Sequence, residues 1–104
     1  MRTELTEMAA VEARWLSMRQ EAVATNVANS SLPGFRAHAA PSFGAVLNDA
    51  AGRAAIDPAR AVLPSGNTVD LATEMIEGAA IGRAHALNSA ITGAFHRMSV
   101  MVSQ

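Results

Sequence analysis

Apolar and polar positions along this 104-residue chain fall into two long helical patterns, with a stretch of neither period between them. Met8, Val11, Trp15, Met18 and Ala22 recur in alternating steps of three and four, and Leu5, Ala9, Leu16, Val23 and Val27 form a flanking row. Glu12, Arg14, Arg19 and Glu21 stay polar, so the pattern is that of an amphipathic helix with a broad apolar stripe. Thr3 is placed to cap its start, and Glu4 and Glu7 stand where the helix dipole favours negative charge. A helix over residues 3–29 would be roughly 40 Å long at ~1.5 Å per residue, more than a single partner helix covers.

The first pattern stops abruptly. Asn26 and Asn29 lie three apart and so share a helix face. Pro33-Gly34 then forbids continuation, because proline lacks a backbone donor and glycine readily takes a left-handed turn. Residues 30–67 form a loop-rich connecting segment with Pro41, Pro58, Pro64, Gly44 and Gly52. One short helix is predicted in it at about 43–51: Ser42 can cap it, Phe43, Val46, Leu47 and Ala50 share a face, and Gly52 can end it. Asp57-Pro58 could start a further turn of helix. The segment is too apolar for a free linker and should lie along a neighbour. Strand signals are absent.

The second long helix is predicted over residues 68–102. Asn67 as N-cap with Asp70 three residues on resembles a capping box, and Asp70 as the cap itself is the competing reading. Gly78, Gly82, Ala86, Ala90 and Ala94 form a small row that lets another helix approach closely. Each glycine costs roughly 0.8–1 kcal/mol in a helix interior, which argues for a compensating contact. Ala80, Ala84, Leu87, Ile91, Phe95, Met98 and Val102 form an apolar seam of roughly heptad spacing. Two usable faces imply more than one neighbour. The resulting expectation is one all-α domain over residues 1–104, its two long helices pairing as an antiparallel coiled-coil-like hairpin. Trp15, Met18, Gly78, Gly82, Leu87, Ile91 and Phe95 are the expected helix-packing positions.

Composition narrows the function. Half the residues are apolar, yet the aromatics are one tryptophan and three phenylalanines, so packing through close helix seams is favoured over a bulky core. A net charge of −1, with all cations arginine and spread singly, gives no footprint for nucleic acid or an anionic membrane surface. There is no cysteine, hence no disulfide framework or thiolate metal site. No apolar run reaches the ~18–20 residues that span a bilayer, and no basic start followed by an apolar run marks a signal peptide. The expectation is a chain without direct membrane insertion that does not use the general secretory route.

Catalytic chemistry finds no purchase. His85 and His96 share a helix face but stand ~16 Å apart along the axis, too far to share an ion. No glutamate has a histidine three residues later, as a bundle-type di-iron site requires. The serines lack a nucleophile-elbow setting. Glu74 and Glu77 share a helix face and read as a solvated surface, and no glycine-rich phosphate loop occurs. Neither enzyme activity, a metal nor a cofactor is expected.

The sequence Asn26-x-x-Asn29-x-x-x-Pro33-Gly34-Phe35-Arg36-Ala37 resembles the signature that closes the N-terminal helix of bacterial flagellar axial proteins, Ala-x-Asn-x-Ala-Asn-x-x-x-Pro-Gly-Tyr-(Lys/Arg)-Ala. A second block, Gly66-Asn67-Thr68-Val69-Asp70-Leu71-x-x-Glu74-Met75, is similar to the start of the C-terminal helix in basal-body rod proteins of the proximal rod, the FlgB type. Ser42-Phe43 through Leu47 also fits that family's short Asp-Phe helix. Leu32 stands where threonine is usual, Phe35 replaces tyrosine, His85 falls where tyrosine is common, and the connecting segment is shorter than usual.

The resemblance implies a non-enzymatic structural subunit whose terminal helices pair into the inner layers of a tubular rod. That rod crosses the periplasm and carries torque from the rotor to hook and filament. It also implies export without a cleaved signal peptide, by the flagellar type III apparatus. The implied neighbours are further copies of the chain, other rod proteins and the rotor-ring/export-gate junction. Asn26 and Asn29 are expected to bond backbone groups at the turn or on a neighbour and so fix its exit angle. The free chain is expected to be partly disordered. A signal-less secreted helical-hairpin partner protein is the alternative, although Trp15-Leu16-Ser17 does not lie at a hairpin bend; a coiled-coil adaptor is weaker still.

Overall fold

The computed structural model describes residues 4–48, 55–57, 60, 63 and 65–104. Five elements follow one another: α1 (Glu4–Ala28), β1 (His38–Ala39), α2 (Phe43–Leu47), β2 (Ala55–Ile56) and α3 (Leu71–Val102). The two long helices pack antiparallel. Asn88 Nδ2 donates to the Ala9 carbonyl at 3.0 Å, Arg19 pairs with Glu77, and Asn26 Nδ2 donates to Glu74 Oε1 at 2.9 Å. Residue numbers thus fall along α3 as they rise along α1. The molecule measures 62 × 26 × 17 Å with a radius of gyration of 17.1 Å; a compact domain of this length has about 13 Å.

Local chemistry sets the boundaries. Asp70 is extended (φ −111°, ψ 111°) and its carboxylate accepts from Ala72 N, so α3 starts at Leu71 and not at residue 68. The Asn67 capping box is therefore corrected in favour of Asp70: Asn67 is drawn into other bonds. Ser42 caps α2 as expected, accepting from Ala45 N at 3.2 Å. That helix ends at Leu47, shorter than the expected 43–51, because Asn48 leaves helical geometry (φ −87°, ψ 12°) while its N–H still reaches the Gly44 carbonyl. The Thr3 cap, the Gly52 stop and Pro58 lie outside the described residues.

A small antiparallel pair, with His38 opposite Ile56 and Ala39 opposite Ala55, was not expected. Two residues per strand are too few to display an alternating pattern.

α3 turns an unexpected row toward α1. Glu74, Gly78, Ile81, His85, Asn88, Thr92 and Phe95 are buried or half-buried, at heptad spacing. The burial of Glu74 and Asn88 on this row is compensated by partners: Glu74 Oε1 accepts from Asn26 Nδ2 and Arg60 Nη2, and Asn88 Nδ2 donates to the Ala9 carbonyl. Leu87 and Ile91 consequently face outward, at 62% and 48% exposure. The core is concentrated at one end, where Leu16, Ala22, Ala37, Val46, Val69 and Ile81 are buried. At the other end only the two helices are found among the described residues. None of the described helices is long and apolar enough to cross a membrane.

Candidate functional site

The dense end is where the two sequence blocks meet. Residues 32–35 form a turn closed by Phe35 N donating to the Leu32 carbonyl at 3.2 Å, with Gly34 at φ 80° in the left-handed region. Pro33 supplies the fixed φ the turn wants at its first corner, and Gly34 the positive φ at its second. Gly66 also sits at positive φ, 81°, and a Cβ on it would lie 3.5 Å from the Gly34 Cα. The two glycines are where the blocks touch.

Backbone bonds stitch the blocks together on both sides of that contact. Gly34 N donates to the Ser65 carbonyl at 3.1 Å and Thr68 N to the Phe35 carbonyl at 2.9 Å. Ala37 N donates to Thr68 Oγ1 at 2.6 Å.

Asn67, 1% exposed, is the hub. Its Nδ2 lies within hydrogen-bond distance of the carbonyls of Asn29 (3.1 Å), Ser30 (3.3 Å) and Leu32 (2.6 Å), while its Oδ1 accepts from Val69 N at 2.7 Å. One side chain therefore holds the carbonyls of the turn that follows α1 and, through Val69 N, the chain entering α3.

Asn26 and Asn29 divide their work. Asn26, also 1% exposed, grips the backbone of His38 from both sides: Nδ2 donates to the carbonyl at 3.0 Å and Oδ1 accepts from N at 2.7 Å. This sets the exit path after the turn. Asn29 turns its amide back to the Thr25 carbonyl at 2.8 Å within its own helix. Its contribution across the joint is its main-chain carbonyl.

Beside this lies an electrostatic node that the sequence did not display. The Glu74 side chain is fully buried, and Oε1 accepts from both Asn26 Nδ2 and Arg60 Nη2 (2.8 Å). Arg60 also reaches Asp57 Oδ2 at 3.4 Å. Glu77 meets Arg19, whose guanidinium lies 4.9 Å over the Trp15 ring. The two carboxylates are thus engaged, and the reading of a solvated acidic face is corrected. Amphipathic spacing identifies a face; it does not say that a cation from the connecting segment will cover it. Arg60 has no periodic context at all, so no signal could have found it.

Trp15 packs against the connecting segment. Its ring meets Phe43 edge-on at 5.4 Å, and its Nε1 donates to the Pro41 carbonyl at 2.8 Å. An open cleft of about 400 Å³ runs between this cluster and the Glu74 node. Phe35 stacks obliquely on His38 at 5.5 Å, and Arg36 is exposed. Met18 and Phe95 are half-buried. Gly78 lies at the helix seam, 3.9 Å from Val23 Cγ1 if given a Cβ, whereas Gly82 is open and exposed. Val69 is buried; Leu71 and Met75 are exposed. The structure thus brings Asn26, the 33–36 turn, Gly66, Asn67 and Glu74 into one joint, and leaves Leu87 and Ile91 apart from it.

Among the described residues no three histidine or carboxylate groups converge on one point. What the geometry does is mechanical: it locks the end of one long helix to the beginning of another.

No family model matches the chain. A flagellar basal body rod protein, FlgB, from Agrobacterium fabrum (strain C58) is 35% identical over an alignment of 122 positions, covering 94% of this chain and 91% of the relative. The alignment is longer than the chain, so the relative carries insertions. With that likeness running through both interlocked blocks and nearly end to end, the chain belongs to the FlgB family of flagellar basal-body rod proteins.

Proposed function

We propose that the chain is a structural subunit of the basal-body rod, joining its neighbours through α1 and α3 to build a tubular shaft that transmits torque for motility. Family membership supports the setting. The observation that carries the assembly reading is the outer row of α3, where Ile76, Leu87, Ile91, Met98 and Met101 stay 48–70% exposed on the side turned away from α1. An apolar stripe of that length on a water-exposed helix marks an interaction surface. The neighbours in this reading are further copies of the chain, other rod proteins and the rotor-ring/export-gate junction. The rod lies in the periplasm, and the subunit reaches it without a cleaved signal peptide. The role is mechanical, not catalytic.

Deletion of the gene is expected to abolish motility and rods, with wild type restoring both. Leu87→Glu with Ile91→Glu should leave the helix content of the isolated chain unchanged and fail to restore swimming. Electron microscopy of assembled wild-type chain should show tubes with subunits related by a helical operator. Discrete dimers, or a motile deletion strain, would sink the reading.

A further inference from the structure

The ion pair between Glu74 and Arg60 is only half made. Glu74 is 1% exposed, and its Oε1 takes both of its bonds, from Asn26 Nδ2 and from Arg60 Nη2. Glu74 Oε2 and Arg60 Nη1 are buried and have no hydrogen-bond partner among the described residues. A guanidinium and a carboxylate frequently pair through two parallel bonds, which would engage all four atoms. Here one such bond is made, and an anionic acceptor and a cationic donor are left unanswered side by side. Buried polar groups in that state are costly, charged ones most of all.

Both residues line the open cleft of about 400 Å³ that α1, α3 and the connecting segment enclose. That volume lies in the range of small-molecule sites, roughly 300–1,000 Å³. Neighbouring charges are already engaged: Arg19 pairs with Glu77, and Arg60 Nε reaches Asp57. Part of the lining is apolar, with Trp15, Ala22, Ala39 and Pro41, and the indole bond to the Pro41 carbonyl fixes Trp15 in place. A metal ion or simple organic cation would answer the carboxylate and be repelled by the guanidinium; a simple anion would do the reverse. A ligand that answers both must carry a cationic donor and an anionic acceptor next to each other.

We infer that this cleft is a binding site for a free α-amino acid in its zwitterionic form. The ammonium donates to Glu74 Oε2, the carboxylate accepts from Arg60 Nη1, and an apolar side chain lies along Trp15 and Pro41. Arg60 is the part that moves to admit the ligand, since a fifth of its side chain is exposed whereas that of Glu74 is wholly buried. Each of the two bonds is charge-assisted, the stronger class of hydrogen bond. Once bound, the ligand ties residue 60 of the connecting segment to α3 a second time, and by mass action it stabilises the folded chain. The site is argued from this cleft alone and goes beyond the rod reading.

The test titrates the full-length chain with L-leucine and follows the emission of Trp15, the only tryptophan, which stands in the cleft wall. Leucine should change the emission saturably and raise the Tm. N-acetylleucine, which lacks the ammonium, and leucinamide, which lacks the carboxylate, should each bind about tenfold or more weakly, as the loss of one bond to a charged group implies. Arg60→Ala should erase the preference for leucine over leucinamide, and Glu74→Gln the preference over N-acetylleucine, with circular dichroism checking that both variants keep wild-type helix content. The comparison of the three compounds on wild type stands even where a variant fails to fold. No saturable response to leucine, equal responses to all three compounds, or a folded Arg60→Ala chain that still prefers leucine to leucinamide would each overturn the site.

Discussion

The side-chain amide of Asn26 serves the His38 backbone twice and the Glu74 carboxylate once, and water cannot replace these partners once the joint has closed. Truncation leaves buried polar groups unanswered, so Asn26→Ala is expected to destabilise the folded chain by about 2–4 kcal/mol. Asn29→Ala removes one half-buried bond within a helix and should cost under about 1 kcal/mol. Urea unfolding of the two variants side by side checks the ratio; equal losses would show that the joint does not discriminate between them. Asp70 offers a second measurement at this scale. Its carboxylate caps α3 at Ala72 N and also accepts from the Thr73 hydroxyl, yet it is exposed. Asp70→Ala should therefore cost an ordinary ~0.5–2 kcal/mol, read as a lower helical signal and a lower Tm, whereas Asp70→Asn should keep most of it.

Among the elements, α3 is the informative one, because its two sides make opposite predictions. Ile81 is 2% exposed against α1, so Ile81→Ala should cost about 2–5 kcal/mol. Leu87→Ala, on the outer row, should change the isolated chain by under about 0.5 kcal/mol while weakening assembly. Thermal unfolding and sedimentation of both variants separate the two effects, and a Leu87 variant as unstable as the Ile81 variant would contradict the rotation of α3 described here. That rotation also shows where sequence reasoning runs out. The existence, sense and approximate bounds of α1 and α3 were legible from periodicity, and Pro33-Gly34 and Asp70 marked their ends. The facing of α3 was not, because apolar spacing pointed to Leu87 and Ile91 while the inner row includes Glu74 and Asn88, whose partners on α1 and the connecting segment no periodicity displays. Asn67 was legible as a residue of consequence, in the wrong role: a cap competes for one donor, and this side chain found carbonyls 35–38 residues away. Arg60 and the two-residue strands left no trace in any pattern.

Taken as a whole, the described part of the molecule concentrates its buried residues at one end. Small chains are marginally stable even when compact, and this one spreads its helices over 62 Å with a largely uncovered outer face. The free chain is expected to fray from the open end, where α1 begins and α3 finishes, and to gain helix as it associates. Hydrogen exchange should thus find protection concentrated at Asn67–Val69 and around Asn26, and much less at residues 96–102. Circular dichroism should rise in helical signal with concentration. A uniformly protected, concentration-independent monomer would be incompatible with this picture.

The stitching between residues 29–37 and 65–70 has a consequence for variation. By pinning both ends of the intervening chain, it sets the path of the helices at those ends, so length added after Asn48, apart from the contacts of Trp15 with Pro41 and Phe43 and of Glu74 with Arg60, need not disturb them. Lengthening a flexible loop costs only about 0.6 kcal/mol for each doubling. A short epitope grafted after Asn48 should accordingly be carried by the folded chain with Tm lowered by a few degrees and motility retained, whereas the same graft after Ser30 or Ser65 should abolish both. The stretch after Asn48 is a port through which length and surface can be exchanged while α1 and α3 keep their geometry.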